Sequence, residues 1–361
     1  MNPSIVALQF IAGLIFLYFG GEFLVTGSSR AALVFKISPL IVGLTVISLG
    51  TSAPELAVSL EAAFRNNTSM ALGNVIGSNL LNFLFILGLS ALITPLKVNQ
   101  QFIKREVPIL LFATILTYLL ALDGVLGRFD GLILSFMAFN YFLYIVRKGK
   151  KETKSVEKEY AEYLGDTKTT SHSLIKNIFL TILGMGILVL GSHFFINASV
   201  SLAQHFGISD LVIGLTVVAL GTSLPEMAAS ITAAMKGERD IAVGNIIGSN
   251  ILNIFVVLGV SSAIAKNGIL VGPEALSFNY PFLILSSLLI YPIFVTDSEI
   301  SRSDGLLLVF IYSFYTIYLI LEAKGSPSLE YFKNIIFYFV APAILSIVII
   351  KYFLFMKKAK S

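Results

Sequence analysis

Two acidic residues, Glu55 and Glu226, stand in otherwise apolar stretches of the chain. Each follows a proline directly and lies three residues after a serine, Ser52 or Ser223, in the segments GTSAPE and GTSLPE. Residues three apart share one face of a helix, so the hydroxyl and the carboxylate of each segment point the same way. An ionisable side chain within an apolar span is costly to bury and is typical of a functional site. The two segments therefore predict a polar site inside an apolar protein.

The surroundings of the two glutamates are duplicated. The stretch Ile37–Ser90 matches Ile208–Ser261 without a gap, and about 29 of 54 aligned positions are identical. Each copy continues from the acidic segment into GNVIGSN or GNIIGSN and then a further asparagine. A serine and an asparagine four residues apart share a helix face in each copy: Ser78 with Asn82, and Ser249 with Asn253.

The composition is that of a membrane protein. Hydrophobic residues make up 56% of the 361 residues and charged residues 13%, with a mean hydropathy of +0.87. A soluble domain of this length needs far more polar surface. The net charge of +4 is mild and does not indicate a nucleic-acid partner. The chain contains no cysteine, which excludes disulfides, thiolate metal sites and iron–sulfur clusters.

Apolar stretches of about 20 residues predict eleven membrane spans. Five precede a long polar stretch: Ile5–Val25, Ile37–Phe64, Ala71–Ile93, Val107–Leu122 and Gly131–Val146. Five follow it in the same order: Ile178–Ile196, Ile208–Met235, Ala242–Ile264, Leu276–Val295 and Gly305–Leu321. The last, Ile335–Phe355, has no partner in the first half.

We therefore expect residues 1–147 to form one five-helix repeat and residues 173–322 a second, joined by a cytoplasmic linker over residues 148–172. One additional transmembrane helix over residues 333–356 and a basic cytoplasmic tail over residues 357–361 complete the chain. Because five spans reverse the direction of the chain, the second repeat is inserted upside down relative to the first. The predicted fold class is an all-α polytopic membrane protein with two inverted repeats whose broken helices meet at the membrane midplane.

The breaks are predicted at Pro54 and Pro225, because proline lacks a backbone N–H and clashes with the preceding helical turn. A break frees backbone carbonyls, which a membrane protein tolerates only where they face a cavity or a ligand. We expect such carbonyls near four residues: Thr51, Thr222, Ser48 and Ala219.

The predicted site is made only of oxygen ligands. Carboxylates, hydroxyls, amide oxygens and carbonyls suit a hard cation such as Ca²⁺ or Na⁺ better than Zn²⁺ or Cu²⁺. Two carboxylates neutralise one divalent ion, or most of the charge of two or three sodium ions. A site that holds either load, but not both, is what ion exchange requires.

At these residues the chain resembles a known family. The segments GTSAPE and GTSLPE, each followed by GNxxGSN and an asparagine, are similar to the two alpha-repeats of the sodium/calcium exchangers, within the cation/Ca²⁺ antiporter superfamily. The resemblance implies an antiporter that exchanges several Na⁺ for one Ca²⁺ by alternating access and has no cofactor other than the transported ions. The implied ligands are Glu55, Glu226, Ser52, Ser223, Ser78, Ser249, Asn82 and Asn253, with backbone oxygen from Thr51 and Thr222.

Two departures from the family pattern refine this expectation. Many relatives, including those that cotransport K⁺, have aspartate at one of the positions held here by Asn82 and Asn253. Asparagine at both positions removes a charge, so K⁺ cotransport is not expected. The polar linker is too short to hold the cytoplasmic regulatory domain of animal members, which favours a prokaryotic-type exchanger.

Three alternatives stay open at this stage. In an H⁺/Ca²⁺ antiporter of the same superfamily the glutamates would carry protons, although the serine-rich site favours Na⁺. A passive cation channel lined by the same carboxylates is less favoured, because an inverted repeat within one chain already completes the site. An enzyme is disfavoured, because the sequence shows no nucleophile–base pair, HExxH motif or phosphate-binding loop.

Basic residues set the predicted orientation. With the N-terminus outside and the C-terminus in the cytoplasm, the inside segments hold about 20 of the 25 Lys and Arg residues. The expected location is the cytoplasmic membrane.

Several residues keep two interpretations. Glu22, opposite His193 in the repeat, is either a position near the headgroups or functional, and Asp210 is interpreted as a helix N-cap. Asn74 and Asn245 either line a pathway or cap a helix break. We interpret four glycines as helix-packing positions: Gly73, Gly77, Gly244 and Gly248.

Overall fold

The computed structural model describes six stretches of the chain: residues 3–35, 37–97, 105–164, 171–205, 219–297 and 299–360. Eight helices within them are long and apolar enough to cross a membrane, and the bent pair Leu40–Thr51 with Ala53–Phe64 forms a ninth such span. The shorter apolar helix Glu106–Leu120 occupies the place of the predicted fourth span. The prediction of an all-α polytopic membrane protein is therefore confirmed.

The helices of the first half are α1 (Pro3–Phe35), α2 (Leu40–Thr51), α3 (Ala53–Phe64), α4 (Thr68–Ile93), α5 (Glu106–Leu120) and α6 (Arg128–Leu164). Those of the second half are α7 (Ser171–His205), α8 (Ala219–Thr222), α9 (Leu224–Met235), α10 (Arg239–Ile264), α11 (Ala275–Phe294) and α12 (Arg302–Ala323). The C-terminal segment consists of α13 (Leu329–Ile335), a π-helical turn (Ile336–Val340) and α14 (Ala341–Lys360). Four short strands are β1 (Leu96–Lys97), β2 (Val125–Leu126), β3 (Ile269–Leu270) and β4 (Glu299–Ile300).

The observed helices differ from the predicted spans mainly in length. Helix α1 extends to Phe35, beyond the predicted end of the first span at Val25. Helix α6 extends to Leu164, because the first part of the polar linker is rich in helix-forming Lys and Glu. The predicted span Ile208–Met235 begins outside the described residues and is seen from α8 onward.

The first helices of the two halves, α1 and α7, pack together along their length. A Cβ atom built on Gly184 would lie 2.8 Å from the carbonyl oxygen of Gly20, and one on Gly191 would lie 3.1 Å from that of Gly13. These contacts require glycine, because a side chain would force the backbones apart. Later residues of α7 meet earlier residues of α1, so these two repeat-equivalent helices run antiparallel.

The strands show the same inversion. Strand β1 pairs antiparallel with β4, and β2 pairs with β3, so each sheet takes one strand from each half. One helix, α5, separates β1 from β2, and α11 separates β3 from β4. Helices α5 and α11 therefore each connect one sheet to the other along the chain. The pairing is therefore the one expected of two halves inserted in opposite orientations.

The broken helices are confirmed where the chain is described. Helices α2 and α3 meet at Ser52 (φ −82°, ψ 6°) with a bend of 44°. Ser223 has nearly the same backbone angles, φ −92° and ψ 8°, between α8 and α9. Pro54 and Pro225 lie in the first turn of the helix that follows, where no intrahelical N–H bond is required.

Helices α4 and α10 form the centre of the molecule. Most of α4 and nearly all of α10 is buried, whereas α1, α6, α7 and α12 expose large apolar side chains. Gly244 and Gly248 of α10 approach α2 closely, since Cβ atoms there would lie 2.8 Å from the Leu40 carbonyl and the Leu44 Cα. Their assignment as packing positions is confirmed. For Gly73 and Gly77, the residues equivalent to Leu40 and Leu44 lie outside the described part of the chain.

The additional C-terminal helix packs against α11. The Lys333 ammonium lies 2.9 Å from the Glu274 carboxylate at the start of α11. The Phe332 ring stacks on Phe314 of α12, with 5.8 Å between ring centroids. The eleventh span is thus fixed to the second half of the molecule.

The inverted arrangement predicts the sides from which two matched positions can be labelled. Lys97 and Leu270 are exposed and occupy corresponding places in β1 and β3, and the chain has no cysteine of its own. We expect a membrane-impermeant maleimide added to intact cells to label only one of the variants Lys97→Cys and Leu270→Cys. The other should react only after the membrane is permeabilised. Labelling of both variants from one side contradicts the inverted arrangement.

Candidate ion-binding site

The two membrane-embedded glutamates lie at matching places in the two halves. Glu55 is in the first turn of α3 and Glu226 in the first turn of α9, directly after the two helix breaks. Both side chains are completely buried. The positive end of a helix dipole stabilises a carboxylate in this position, but only in part.

Each glutamate is hydrogen-bonded by the serine of the other half. The Ser52 hydroxyl donates to Glu226 Oε1 at 3.0 Å, and the Ser223 hydroxyl donates to Glu55 Oε1 at 3.0 Å. Each serine lies at the helix break, just before the helix that carries the glutamate of its own segment, and not within one continuous helix as the spacing suggested. The bonds cross between the halves, which the spacing alone did not indicate.

The second motif of each copy adds polar side chains to the same place. The hydroxyl oxygens of Ser78 and Ser223 are 3.0 Å apart, and those of Ser249 and Thr51 are 3.5 Å apart. Asn82 and Asn253 are completely buried on α4 and α10. The structure thus brings together side chains from both copies of both motifs.

Several polar atoms of this cluster are buried without a hydrogen-bond partner among the described residues. They are one carboxylate oxygen of each glutamate, the amide oxygen of Asn253, and both amide atoms of Asn82. Native proteins rarely leave buried polar atoms unpaired, and an unpaired buried charge is strongly destabilising. All but one of these atoms are oxygens. The cluster is therefore suited to a cation that several oxygens can bind at once.

The predicted backbone ligands are less directly supported than the side-chain ligands. The Ser48 carbonyl accepts the N–H of Ser52 at 2.9 Å, so only its second lone pair could face an ion. Ala219 begins α8, three residues before Thr222, which ends this helix just before the second break. The Thr51 and Thr222 hydroxyls hydrogen-bond to asparagine side chains of the opposite half, which leaves their carbonyl role a prediction.

Those asparagines, Asn74 and Asn245, connect the helices around the site by hydrogen bonds. Each donates its amide to the backbone carbonyl of the glutamate in its own half, over 3.1 Å for Asn74 and 3.3 Å for Asn245. Each also accepts a hydroxyl hydrogen bond from the other half, from Thr222 at 3.4 Å or Thr51 at 3.1 Å. Asn74 and Asn245 therefore tie each broken helix to the next helix and to the opposite repeat. Their occurrence in both GNxxGSN motifs was the sequence signal.

The two asparagine positions at the site lie in π-helical turns. These turns span Leu81–Ile86, which contains Asn82, and Asn253–Leu258. A π-turn inserts one residue into an α-helix and re-aims its side chains, and such turns often mark functional sites. They were not predicted from the sequence, because neither turn contains a proline or a glycine.

Other acidic residues lie apart from the cluster. The Glu22 carboxylate forms an ion pair with Lys236 at 2.5 Å, and Glu61 pairs with Arg65 at 2.6 Å. Asp210 lies outside the described residues. Within the described part of the chain, no group of three His, Cys, Asp or Glu side chains could hold a metal ion. A transition-metal centre is therefore not supported there.

Removing either charge should abolish cation binding at this cluster. We expect Ca²⁺ to raise the unfolding temperature of the purified wild type, and we expect Glu55→Gln and Glu226→Gln to lose this rise. A ligand at 100 times its Kd stabilises the folded state by about 2.7 kcal/mol, so the loss is measurable by thermal unfolding in detergent. Glu61→Gln is the matched control, since Glu61 is exposed on the same helix as Glu55. Ca²⁺ stabilisation retained by both site variants contradicts the assignment.

Comparison with known proteins identifies the family of the chain. A model of the family "Sodium/calcium exchanger protein" matches residues 5–147 and 176–321. The chain is 38% identical over 280 residues to the inner membrane protein YrbG of Escherichia coli, covering 77% of this chain and 85% of that protein. It is 33% identical over 344 residues to the sodium/calcium exchanger MaX1 of Methanosarcina acetivorans, covering 86% of this chain and 97% of that protein.

Two further similarities bear on the fold and on the ions. The solved structure of the sodium-calcium exchanger NCX_Mj is similar with a TM-score of 0.74 and 31% identity, covering 86% of this chain and 97% of that one. The Ca²⁺/H⁺ antiporter ChaA of Bacillus subtilis is 28% identical over 246 residues, covering 62% of this chain and 67% of that protein. Since the family model covers both repeats, the chain belongs to the sodium/calcium exchanger family, whose members are membrane transporters and not enzymes.

Proposed function

We propose that this protein is an antiporter that exchanges Na⁺ for Ca²⁺ across the membrane. The observation that carries the proposal is the pair of buried carboxylates, Glu55 and Glu226, each with one oxygen unpartnered among the described residues. They lie in a cluster of hydroxyl and amide groups from both repeats. The ion ligands in this proposal are Glu55, Glu226, Ser52, Ser223, Ser78, Ser249, Asn82 and Asn253, with backbone oxygens at Thr51, Thr222, Ser48 and Ala219.

The charge of the two glutamates couples the movement of Na⁺ to that of Ca²⁺. When both glutamates are ionised, one Ca²⁺ neutralises them, and so do sodium ions that bind in its place. An empty site would leave two unpaired charges in a low-dielectric interior, which costs several kcal/mol per ion. The empty carrier therefore does not change its access from one side to the other. Since the site holds one load or the other, net movement of Ca²⁺ in one direction requires movement of Na⁺ in the opposite direction.

The number of carboxylates also bears on the ions that are carried. Asn82 and Asn253 contribute no charge, so K⁺ cotransport is not part of the proposal. If several Na⁺ exchange for one Ca²⁺, as the family resemblance implies, the cycle moves net charge and is electrogenic. The membrane potential and the Na⁺ gradient would then both drive Ca²⁺ out of the cell.

The proposed location is the cytoplasmic membrane, with the N-terminus outside and the C-terminus in the cytoplasm. The excess of Lys and Arg in the segments assigned to the inside supports this orientation. In this orientation the sheet of β1 and β4 faces the cytoplasm, and the sheet of β2 and β3 faces outward. Lys97→Cys would then be the variant protected in intact cells.

Exchange of H⁺ for Ca²⁺ is the second candidate. The similarity to the antiporter ChaA favours it, because protons could neutralise the two glutamates in place of Na⁺. The hydroxyl groups of Ser52, Ser223, Ser78 and Ser249 favour Na⁺, since a proton bound to a carboxylate needs no set of additional oxygen ligands.

Uptake of ⁴⁵Ca²⁺ into proteoliposomes separates the two candidates. We expect uptake into vesicles loaded with Na⁺ and only background uptake into vesicles loaded with K⁺ or choline. Uptake driven by an acidic interior without Na⁺ would contradict Na⁺ coupling and establish the proton-coupled alternative. Vesicles containing Glu226→Gln provide the control for leakage and non-specific binding.

A further inference from the structure

The two asparagines of the site are equivalent by the repeat, but their amides are held differently. The Asn253 amide nitrogen donates to the side-chain oxygen of Asn79 at 3.1 Å, and its own oxygen is left unpartnered among the described residues. Neither amide atom of Asn82 has a partner there. The repeat symmetry is therefore broken at the ion ligands themselves.

A chain of hydrogen bonds fixes which end of the Asn253 amide faces the site. The Asn79 amide nitrogen donates to the backbone carbonyl of Asn250 at 3.3 Å. A carbonyl can only accept, so the amide end of Asn79 at that carbonyl must be its NH₂ group. The oxygen of Asn79 therefore faces Asn253 and requires the NH₂ group of Asn253. As a result, the free end of Asn253 is an oxygen, which is the end that binds a cation.

The opposite half lacks this chain of bonds. Asn250 is the repeat equivalent of Asn79, but its amide nitrogen donates to the Ile246 carbonyl of its own helix at 2.7 Å. It makes no hydrogen bond to Asn82. The Asn82 amide can therefore present either its oxygen or its NH₂ group to the site. Asn79, Asn250, Asn82 and Asn253 are all completely buried.

We propose that Asn79 is a positioning residue for Ca²⁺, because it holds Asn253 with its oxygen toward the ion while Asn82 remains free to rotate. This inference rests on the proposed function and on the assignment of Asn253 as a ligand. A ligand that is already oriented loses no rotational freedom when the ion binds, and groups behind a metal ligand commonly change affinity by 10–100-fold. The two amides thus contribute unequally, although the sequence repeats them.

The first test compares matched positions of the two halves. In Na⁺-loaded proteoliposomes, we expect Asn79→Ala to raise the Ca²⁺ concentration for half-maximal uptake by about 10–100-fold, with the maximal rate retained. Asn250→Ala, the equivalent change in the other repeat, should leave that concentration unchanged. Equal effects of the two variants, or a lower maximal rate with unchanged half-saturation, would overturn the proposal.

A conservative variant distinguishes loss of the hydrogen bond to Asn253 from a packing defect. Asn79→Asp keeps an acceptor oxygen for the Asn253 amide, so its half-saturation should be no higher than that of the wild type. A loss as large as that of Asn79→Ala would contradict the proposal. Ca²⁺-dependent thermal stabilisation in detergent gives the same comparison without transport.

A double-mutant cycle tests whether Asn79 acts through Asn253. Asn253→Ala should weaken Ca²⁺ uptake by itself, and adding Asn79→Ala should weaken it no further. Additive effects would overturn the proposal. Wild-type half-saturation in Asn253→Ala would refute the ligand assignment and this inference together. Absence of Na⁺-dependent uptake by the wild type would instead refute the proposed function, which this cycle does not address.

Discussion

The central constraint on the structure is that two carboxylates are buried in an apolar interior, where their charge is costly. Glu55 and Glu226 are fully enclosed, and each accepts a hydrogen bond from a serine of the other half. A serine hydroxyl cannot neutralise a charge, so the folded chain alone does not balance the site. The bound ion is in this account part of the site. The surrounding architecture holds oxygens in place for it and keeps water and lipid away.

The inverted repeat explains how one site can serve both membrane faces. Each serine bonds the glutamate of the other half, and Asn74 and Asn245 connect each broken helix to the opposite repeat. The cluster therefore belongs to neither half alone. Helices α1 and α7 pack antiparallel through glycines, and each of the two sheets joins a strand of one half to a strand of the other. A movement of one half would thus reach the site through these hydrogen bonds. The other half makes the equivalent bonds in the opposite orientation.

The sequence predicted the repeat, most of the spans, and the grouping of the polar side chains, because these depend on local spacing and hydropathy. It placed the helix breaks at Pro54 and Pro225, whereas the structure has them two residues earlier, at Ser52 and Ser223. It did not predict which serine bonds which glutamate, since that depends on how the halves meet. The antiparallel glycine contacts of α1 and α7 were also missed. Asn79 gave no signal, because the repeat makes it look identical to Asn250. Their different roles arise only from their three-dimensional surroundings.

The most direct test of the central claim is whether the carrier can cross the membrane without an ion. Proteoliposomes are loaded with ⁴⁵Ca²⁺ and diluted into media that contain Na⁺, unlabelled Ca²⁺, or only choline at neutral pH. The account predicts rapid release of ⁴⁵Ca²⁺ into the first two media, because the returning carrier is loaded, and only background release into the third. Release into choline at a comparable rate would show that the empty site crosses freely, which contradicts the account.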